Sequence, residues 1–125
     1  MIENIDIGTD RVVALRASGH VTHDDYTKTL VPALEAGLEA ARASGHKVRF
    51  YYELGEGFEG YTAHALWDDA RVGGEHLRDF ERIAVVTDHP VFLGAVRLFG
   101  PLISGEVRAW PVAEREEARA WISTL

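Results

Sequence analysis

The sequence predicts a single-domain α/β sandwich whose mixed sheet starts as an antiparallel hairpin and continues with parallel strands, in the order β-β-α-β-α-β-α-β-α. Three observations lead there. The stretch FERIAVVTD, Phe80 to Asp88, holds five uncharged, largely β-branched residues, Ile83 to Thr87, walled by charge, which is the pattern of a strand buried on both faces. Two apolar runs near the N-terminus flank a Gly8-Thr9-Asp10 turn signal, the pattern of a hairpin. Beyond them, strand-like and helix-like segments alternate, and a helical crossover makes the strands it joins parallel.

Ile2, Ile5 and Ile7 form the first strand and Val12 to Leu15 the second, which Ser18-Gly19-His20 is expected to break. Thr22 caps a helix with Asp24 and Asp25 in its first turn, where acids meet unpaired N–H groups. Tyr26, Leu30, Leu34, Leu38 and Ala41 draw one apolar stripe to about Ala43, with a mild kink expected at Pro32 and a stop at Ser44-Gly45. Val48 to Leu54, VRFYYEL, is the third strand. The glycine-rich GEGFEGY is expected to be a loop. Thr62 then caps a second helix with Ala63, Leu66, Trp67 and Ala70 facing inward and Asp68 and Asp69 outward, interrupted at Gly73-Gly74.

A short piece carrying His76 and Leu77 leads to the fourth strand, expected in the middle of the sheet. Pro90 suits the first turn of a third helix, in which Phe92, Ala95, Val96 and Phe99 share a face before Gly100-Pro101 ends it. Glu106 to Trp110 is the last strand. From Pro111 to Leu125 a closing helix buries Ala118, Trp121, Ile122 and Leu125 and wets Glu114, Arg115, Glu116, Glu117 and Arg119.

A chain of 125 residues is one domain's worth, residues 1–125, able to bury roughly two-thirds of its unfolded surface. A formal charge of -7 with scattered basic residues argues against a nucleic-acid partner, because phosphate binding needs a clustered cationic face. Cysteine is absent, so there is no disulfide, thiolate nucleophile or thiolate-bound zinc. MIENIDIG has neither a basic nor an apolar leader region, and a cytoplasmic location is expected. No apolar run approaches the roughly 20 residues of a spanning helix, so membrane contact would be peripheral.

Four segments carry a family resemblance: HDDYTKTLVPALEAGLEAA, YYELGEGFEG, ALWDDARVGGEHLRDFERIAVVTD and FGPLISGEVRAWPVAEREEARAWI. Together they resemble the SpoIIAA-like family of bacterial proteins over essentially the whole chain. The most specific pieces are FEG before the second helix, W-D-D inside it, LRDFERIAVV at the strand entry and FGP after the third helix. That family is similar to STAS domains, the fold of anti-sigma-factor antagonists, and to the CRAL-TRIO lipid-binding fold. The resemblance implies a non-catalytic module, with apolar ligands and membrane association as its functional themes. One departure counts against sigma-factor regulation: phosphorylatable STAS antagonists carry a switch serine at the start of the helix after the third strand, and this chain offers only Thr62 there. Thr62 could carry a phosphoryl group at a helix N-terminus, but its capping role accounts for it.

The residues themselves point away from catalysis. Asp24-Asp25 and Asp68-Asp69 are adjacent pairs, whose side chains diverge on a helix. GEGFEG lacks the lysine of a phosphate-binding loop, and Glu56 and Glu59 would repel a phosphate. Ser18, Ser44, Ser104 and Ser123 sit in no nucleophile elbow. Of the histidines, His20, His23, His46, His64, His76 and His89, only His20 and His23 are close in sequence, and no spacing demands a metal. No catalytic residue, metal or cofactor is expected.

What remains is apolar weight at one end. The third segment carries Val91, Phe92, Leu93, Leu98, Phe99, Leu102 and Ile103, more than one buried helix face can use. Packing between the second and third helices is one outlet for the surplus and a binding surface the other. The binding reading places Phe58, Tyr61, Trp67, Phe92, Val96 and Phe99 around an apolar cleft under a movable third helix, with Gly55, Gly57, Gly60, Gly94 and Gly100 as hinges. Two function classes follow: a module for a small hydrophobic or lipid-like ligand, and a STAS-like protein-interaction regulator acting through the helix after the third strand. A lipid-like small molecule, a protein partner, a peripheral membrane contact and a homodimer stay open as partners.

Overall fold

A computed structural model describes residues 1–9, 11–76 and 78–124, with the backbone alone for Leu66 and Gly73. Asp10 of the expected turn, the inward role of Leu66, Leu77 and the expected burial of Leu125 therefore lie outside the described residues. The strands are β1 (Ile2–Asn4), β2 (Val12–Val21), β3 (Val48–Tyr61), β4 (Phe80–Thr87) and β5 (Glu106–Trp110). They lie side by side in chain order, β1 antiparallel to β2 and the rest parallel. β4 pairs on both edges, as its apolar run requires, but the middle strand is β3.

Residues 23–43 form one continuous helix, α1, built from a first turn His23–Asp25, a π-helical turn Tyr26–Leu30 and a regular part Val31–Ala43. The Thr22 hydroxyl accepts from the Asp25 N–H, while the Asp25 carboxylate accepts from the Thr22 N–H at 2.8 Å, a reciprocal cap. Pro32, where a mild kink is expected, follows a widened π-helical turn, since proline has no N–H to give and its ring crowds the preceding turn. The other helices are α2 (Ala63–Glu75), α3 (Pro90–Phe99) and α4 (Arg115–Ser123). A 3₁₀ turn, Gly100–Leu102, follows α3, and another, Val112–Glu114, precedes α4.

Three successive crossovers advance in one direction along the sheet, and crossovers of one hand then put their helices on one face. Accordingly Leu30, Leu34 and Leu38 of α1, Ala65 of α2 and Phe92 of α3 share one core with Leu15, Phe50, Tyr52, Leu54 and Ile83. The opposite face carries α4, whose Ala118 and Ile122 pack on Val12, Ala14, Tyr51, Ala84 and Val86. Ile5 and Ile7, expected in the first strand, lie beyond β1 and pack against this second core. α1 comes close enough to β2 that a Cβ on Gly37 would sit 2.3 Å from Val13 Cγ2, which excludes any larger residue without displacement.

Four sequence expectations are corrected. Ser18-Gly19-His20 does not break β2, and GEGFEGY is not a loop but the far half of β3. The two extensions pair with each other, Gly19 opposite Phe58 and Val21 opposite Tyr61, across register shifts. Positive φ at Gly19 (59°) and Gly60 (132°) makes the irregular ladder accessible. Gly73-Gly74 does not interrupt α2, because Val72 packs on the core and tertiary contact overrides the weak propensity of glycine. The fourth correction concerns which side of α2 faces inward.

Candidate functional site

On α2 the inward positions are Ala65 and Asp68, both buried, with Val72 half-buried, while Ala63, Trp67 and Ala70 face solvent. The apolar stripe expected to be inward is thus outward, and an acid points in. The reason lies across the gap on α1, whose His23 ring and Tyr26 hydroxyl give the acids of α2 hydrogen-bond partners. Asp68 Oδ2 accepts from His23 Nδ1 at 2.5 Å, and Asp69 Oδ1 accepts from the Tyr26 hydroxyl at 2.6 Å. A buried carboxylate with a charge-assisted bond is tolerated where an unpaired one is not.

The same contact assembles a three-residue cluster. His23 and His64 stack face to face, ring centroids 3.9 Å apart and planes 5° apart. One ring nitrogen from each and a carboxylate oxygen of Asp68 lie within 4.8 Å of one another, an arrangement able to hold a metal ion. Arg71 reaches Asp68 Oδ1 at 3.4 Å. His64 and Asp68 are four residues apart and so share one helix face, a spacing visible in the sequence. The contribution of His23, 41 residues earlier than His64, carries no local signal. His20, its neighbour in sequence, pairs instead with Glu59 at 3.0 Å on the surface.

Of the six residues expected around an apolar cleft, the structure brings Phe58, Tyr61 and Phe92 together. Their rings meet edge to face, with centroids 5.1 to 5.5 Å apart, and His89 completes the group 4.9 Å from Phe92. Val96 is half-buried nearby in chain on α3, whereas Trp67 and Phe99 are 67% and 57% exposed and stand apart from this ring cluster. Beneath it lies a polar seam of tyrosines. The Tyr61 hydroxyl donates to that of Tyr52 at 3.0 Å, and burial, with neighbouring acidic groups adding to it, pushes the Tyr26, Tyr52 and Tyr61 hydroxyls above the usual tyrosine range. Asp69 keeps surface in water as a residue, yet burial of its carboxyl against Tyr26 raises its pKa, an effect the Tyr26 hydrogen bond partly offsets.

α3 differs from the other helices in burying none of its residues completely. Val91 and Leu98 are 69% and 70% exposed, and Leu102 just beyond is exposed as well. At the carboxyl end of β4, where ligands enter sheets of this kind, and beside the far half of β3, a cleft of about 290 Å³ is lined by Leu54, Glu56, Phe58, Asp88, His89 and Val112. Its polar groups are partly spent on turns: Asp88 Oδ1 accepts from the Val112 N–H at 3.0 Å, and His89 Nδ1 accepts from the Val91 N–H at the start of α3.

The α4 face holds a fully buried acid, Glu53, which sequence reading passed over. It accepts from Arg16 at 2.7 Å, Arg119 at 3.1 Å and the Tyr51 hydroxyl at 2.5 Å, with Arg115 at 3.5 Å. Burial opposes its ionisation, but the bonds from Tyr51, Arg16 and Arg119 prevail and hold its carboxyl below the usual range. Burial and the bond to Glu53 in turn raise the Tyr51 hydroxyl to about 12. Arg115 and Arg119, expected on the wet side of the last helix, are half-buried for this reason.

No curated protein matches the chain. Its structure is similar to a crystal structure of an uncharacterized protein of the DUF3478 family with a SpoIIAA-like fold, from Shewanella loihica PV-4. The two share 25% identity at a TM-score of 0.74, over 98% of this chain and 92% of the other. The family model described as SpoIIAA-like matches residues 12–123, from the first residue of β2 to the last of α4. That match takes in most of the chain, and the chain belongs to the SpoIIAA-like family.

Proposed function

We propose that this SpoIIAA-like protein is a non-catalytic binding module of the cytoplasm that takes a hydrophobic or lipid-like ligand on α3. One observation carries the reading: ten residues with a single charge, Arg97, cover the sheet without any of them being fully buried, and Val91, Leu98 and Phe99 point apolar surface at solvent. Such a surface costs free energy unless something covers it, at roughly 25 cal/mol per Å². The cleft at the strand ends is at the small end of ligand-site volumes, so the reading rests on the helix surface rather than on an enclosed cavity. Among the described residues no helix is long and apolar enough to cross a membrane, which leaves peripheral contact as the membrane form of this activity.

The test is uptake of a fluorescent fatty acid and co-sedimentation with neutral phosphatidylcholine vesicles. The wild-type chain binds at least one of the two, and the double substitution Leu98→Asp with Phe99→Asp, at exposed positions, keeps the fold and loses binding. Failure of the wild-type chain to bind either probe, or unchanged binding by the double variant, overturns the proposal. A dimer that dissociates in the double variant, without lipid binding, would assign the surface to a second copy instead.

A further inference from the structure

We propose that His23, His64 and Asp68 form a binding site for one divalent transition-metal ion of the zinc type, independent of the apolar surface of α3. Two imidazole nitrogens and one carboxylate oxygen are the donor set that suits zinc, cobalt or nickel, and hard oxygen-seeking ions such as magnesium are served less well by it. Three protein ligands leave at least one coordination position for water or a small anionic ligand. The donors come from rigid places: His23 is the first residue of α1 after its reciprocal cap, and His64 and Asp68 stand one turn apart near the start of α2.

The spacing is close to what an ion needs. Bonds of about 2.0–2.2 Å require donors separated by roughly 3 to 3.5 Å. His23 Nδ1 and Asp68 Oδ2, now 2.5 Å apart across a hydrogen bond, must part slightly, while His64, exposed and free to change rotamer, closes in. An ion on His23 Nδ1 takes a lone pair there, so in the neutral ring the hydrogen shared with Asp68 is carried on Nε2 instead, and because protons compete with the ion for the same donors, binding weakens as pH falls. Arg71, on the second oxygen of Asp68, fixes the carboxylate in its inward rotamer and is exposed enough to withdraw. A plain His23–Asp68 hydrogen bond explains part of this geometry, but not the parallel placement of His64 beside it.

Calorimetric titration with Zn²⁺ and absorption with Co²⁺ test the site, using the full chain near pH 7. The expected result is one equivalent of metal per chain, visible Co²⁺ bands of nitrogen and oxygen coordination, and Co²⁺ perturbation of the His23 and His64 ring NMR signals before those of the other histidines. His64→Ala, at an exposed position that leaves the fold intact, lowers Zn²⁺ affinity at least tenfold, and Asp68→Asn does the same if it folds. His20→Ala, outside the cluster, leaves affinity unchanged. The proposal is overturned if the wild-type chain shows no saturable binding, if His64→Ala binds as tightly as wild type, or if His20→Ala weakens binding as much.

Discussion

Arg119 of α4 meets Glu53 of β3 at 3.1 Å, and Glu53 has no surface in water. This pair, with Arg16 and Arg115 around the same carboxylate, ties the helix that covers the second face to the middle strand. Removing one member of a buried ion cluster leaves uncompensated charge, at a cost of about 3–5 kcal/mol. Glu53→Ala should destabilise by that order in urea denaturation, with Arg119→Ala costing less because Arg16 and Arg115 remain. A change of a few tenths for Glu53→Ala would show that the network is neutral.

Acid should expose the same cluster. Because the folded pKa of Glu53 lies below its ordinary value of 4.5, its contribution is complete above that value and disappears as pH falls through the folded pKa. Glu81, lowered chiefly by its bond from Arg49, acts in the same sense. Unfolding free energy should therefore decline steeply below the ordinary carboxylate range, and Glu53→Gln should flatten the slope.

At the alkaline end the sign reverses. All four tyrosines, Tyr26, Tyr51, Tyr52 and Tyr61, have hydroxyls raised above 10, Tyr51 to about 12, so the folded state holds their protons after the unfolded state has released its own. Stability should fall as pH rises from 10 toward 12. Absorbance near the tyrosinate maximum should stay flat through the ordinary tyrosine range and then rise together with loss of the far-UV signal. Gradual titration in a folded chain at pH 10 would contradict the buried tyrosine seam.

Glycine substitutions discriminate packing from conformational freedom. A Cβ at Gly105 would stand 2.4 Å from the Glu81 carbonyl oxygen, a backbone atom with nowhere to go, so Gly105→Ala should cost several kcal/mol, on the scale of overpacked cores. At Gly74 and Gly94 a Cβ meets nothing within 4 Å inside a helix, and alanine should stabilise by roughly 0.5–1 kcal/mol. A loss at Gly74 on thermal melting would argue that α2 breaks there after all.

Val85 and Val86 test the two cores separately. Val86 is fully buried under α4 and Val85 half-buried under the crossover helices, so truncation to alanine should cost about 2–3 kcal/mol at Val86 and less at Val85. Equal, negligible losses in chemical denaturation would mean that β4 is not interior.

Local patterns decided much of this molecule. The apolar run Ile83 to Thr87, the four-residue spacing of Leu30, Leu34 and Leu38, the cap at Thr22 and the stop at Gly45 each act through contacts within a few residues, and each is readable in the chain. Element order and the parallel sheet follow from them, since helical crossovers allow little else. The extension of β2 and β3 through their glycines was not legible, because a glycine-rich segment is a loop until a partner strand supplies the ladder. Nor was the inward side of α2: Ala63, Trp67 and Ala70 form the more apolar stripe, and only the position of His23 and Tyr26 on α1 makes it favourable to turn Asp68 and Asp69 toward them. The same holds for Glu53, whose alternation in β3 marks it as inward while its three arginines come from 37 to 66 residues away. Where a polar group's partner is local, the sequence determines its place. Where the partner arrives from another element, the free energy that decides between burial and solvent exists only once the fold has brought the two together.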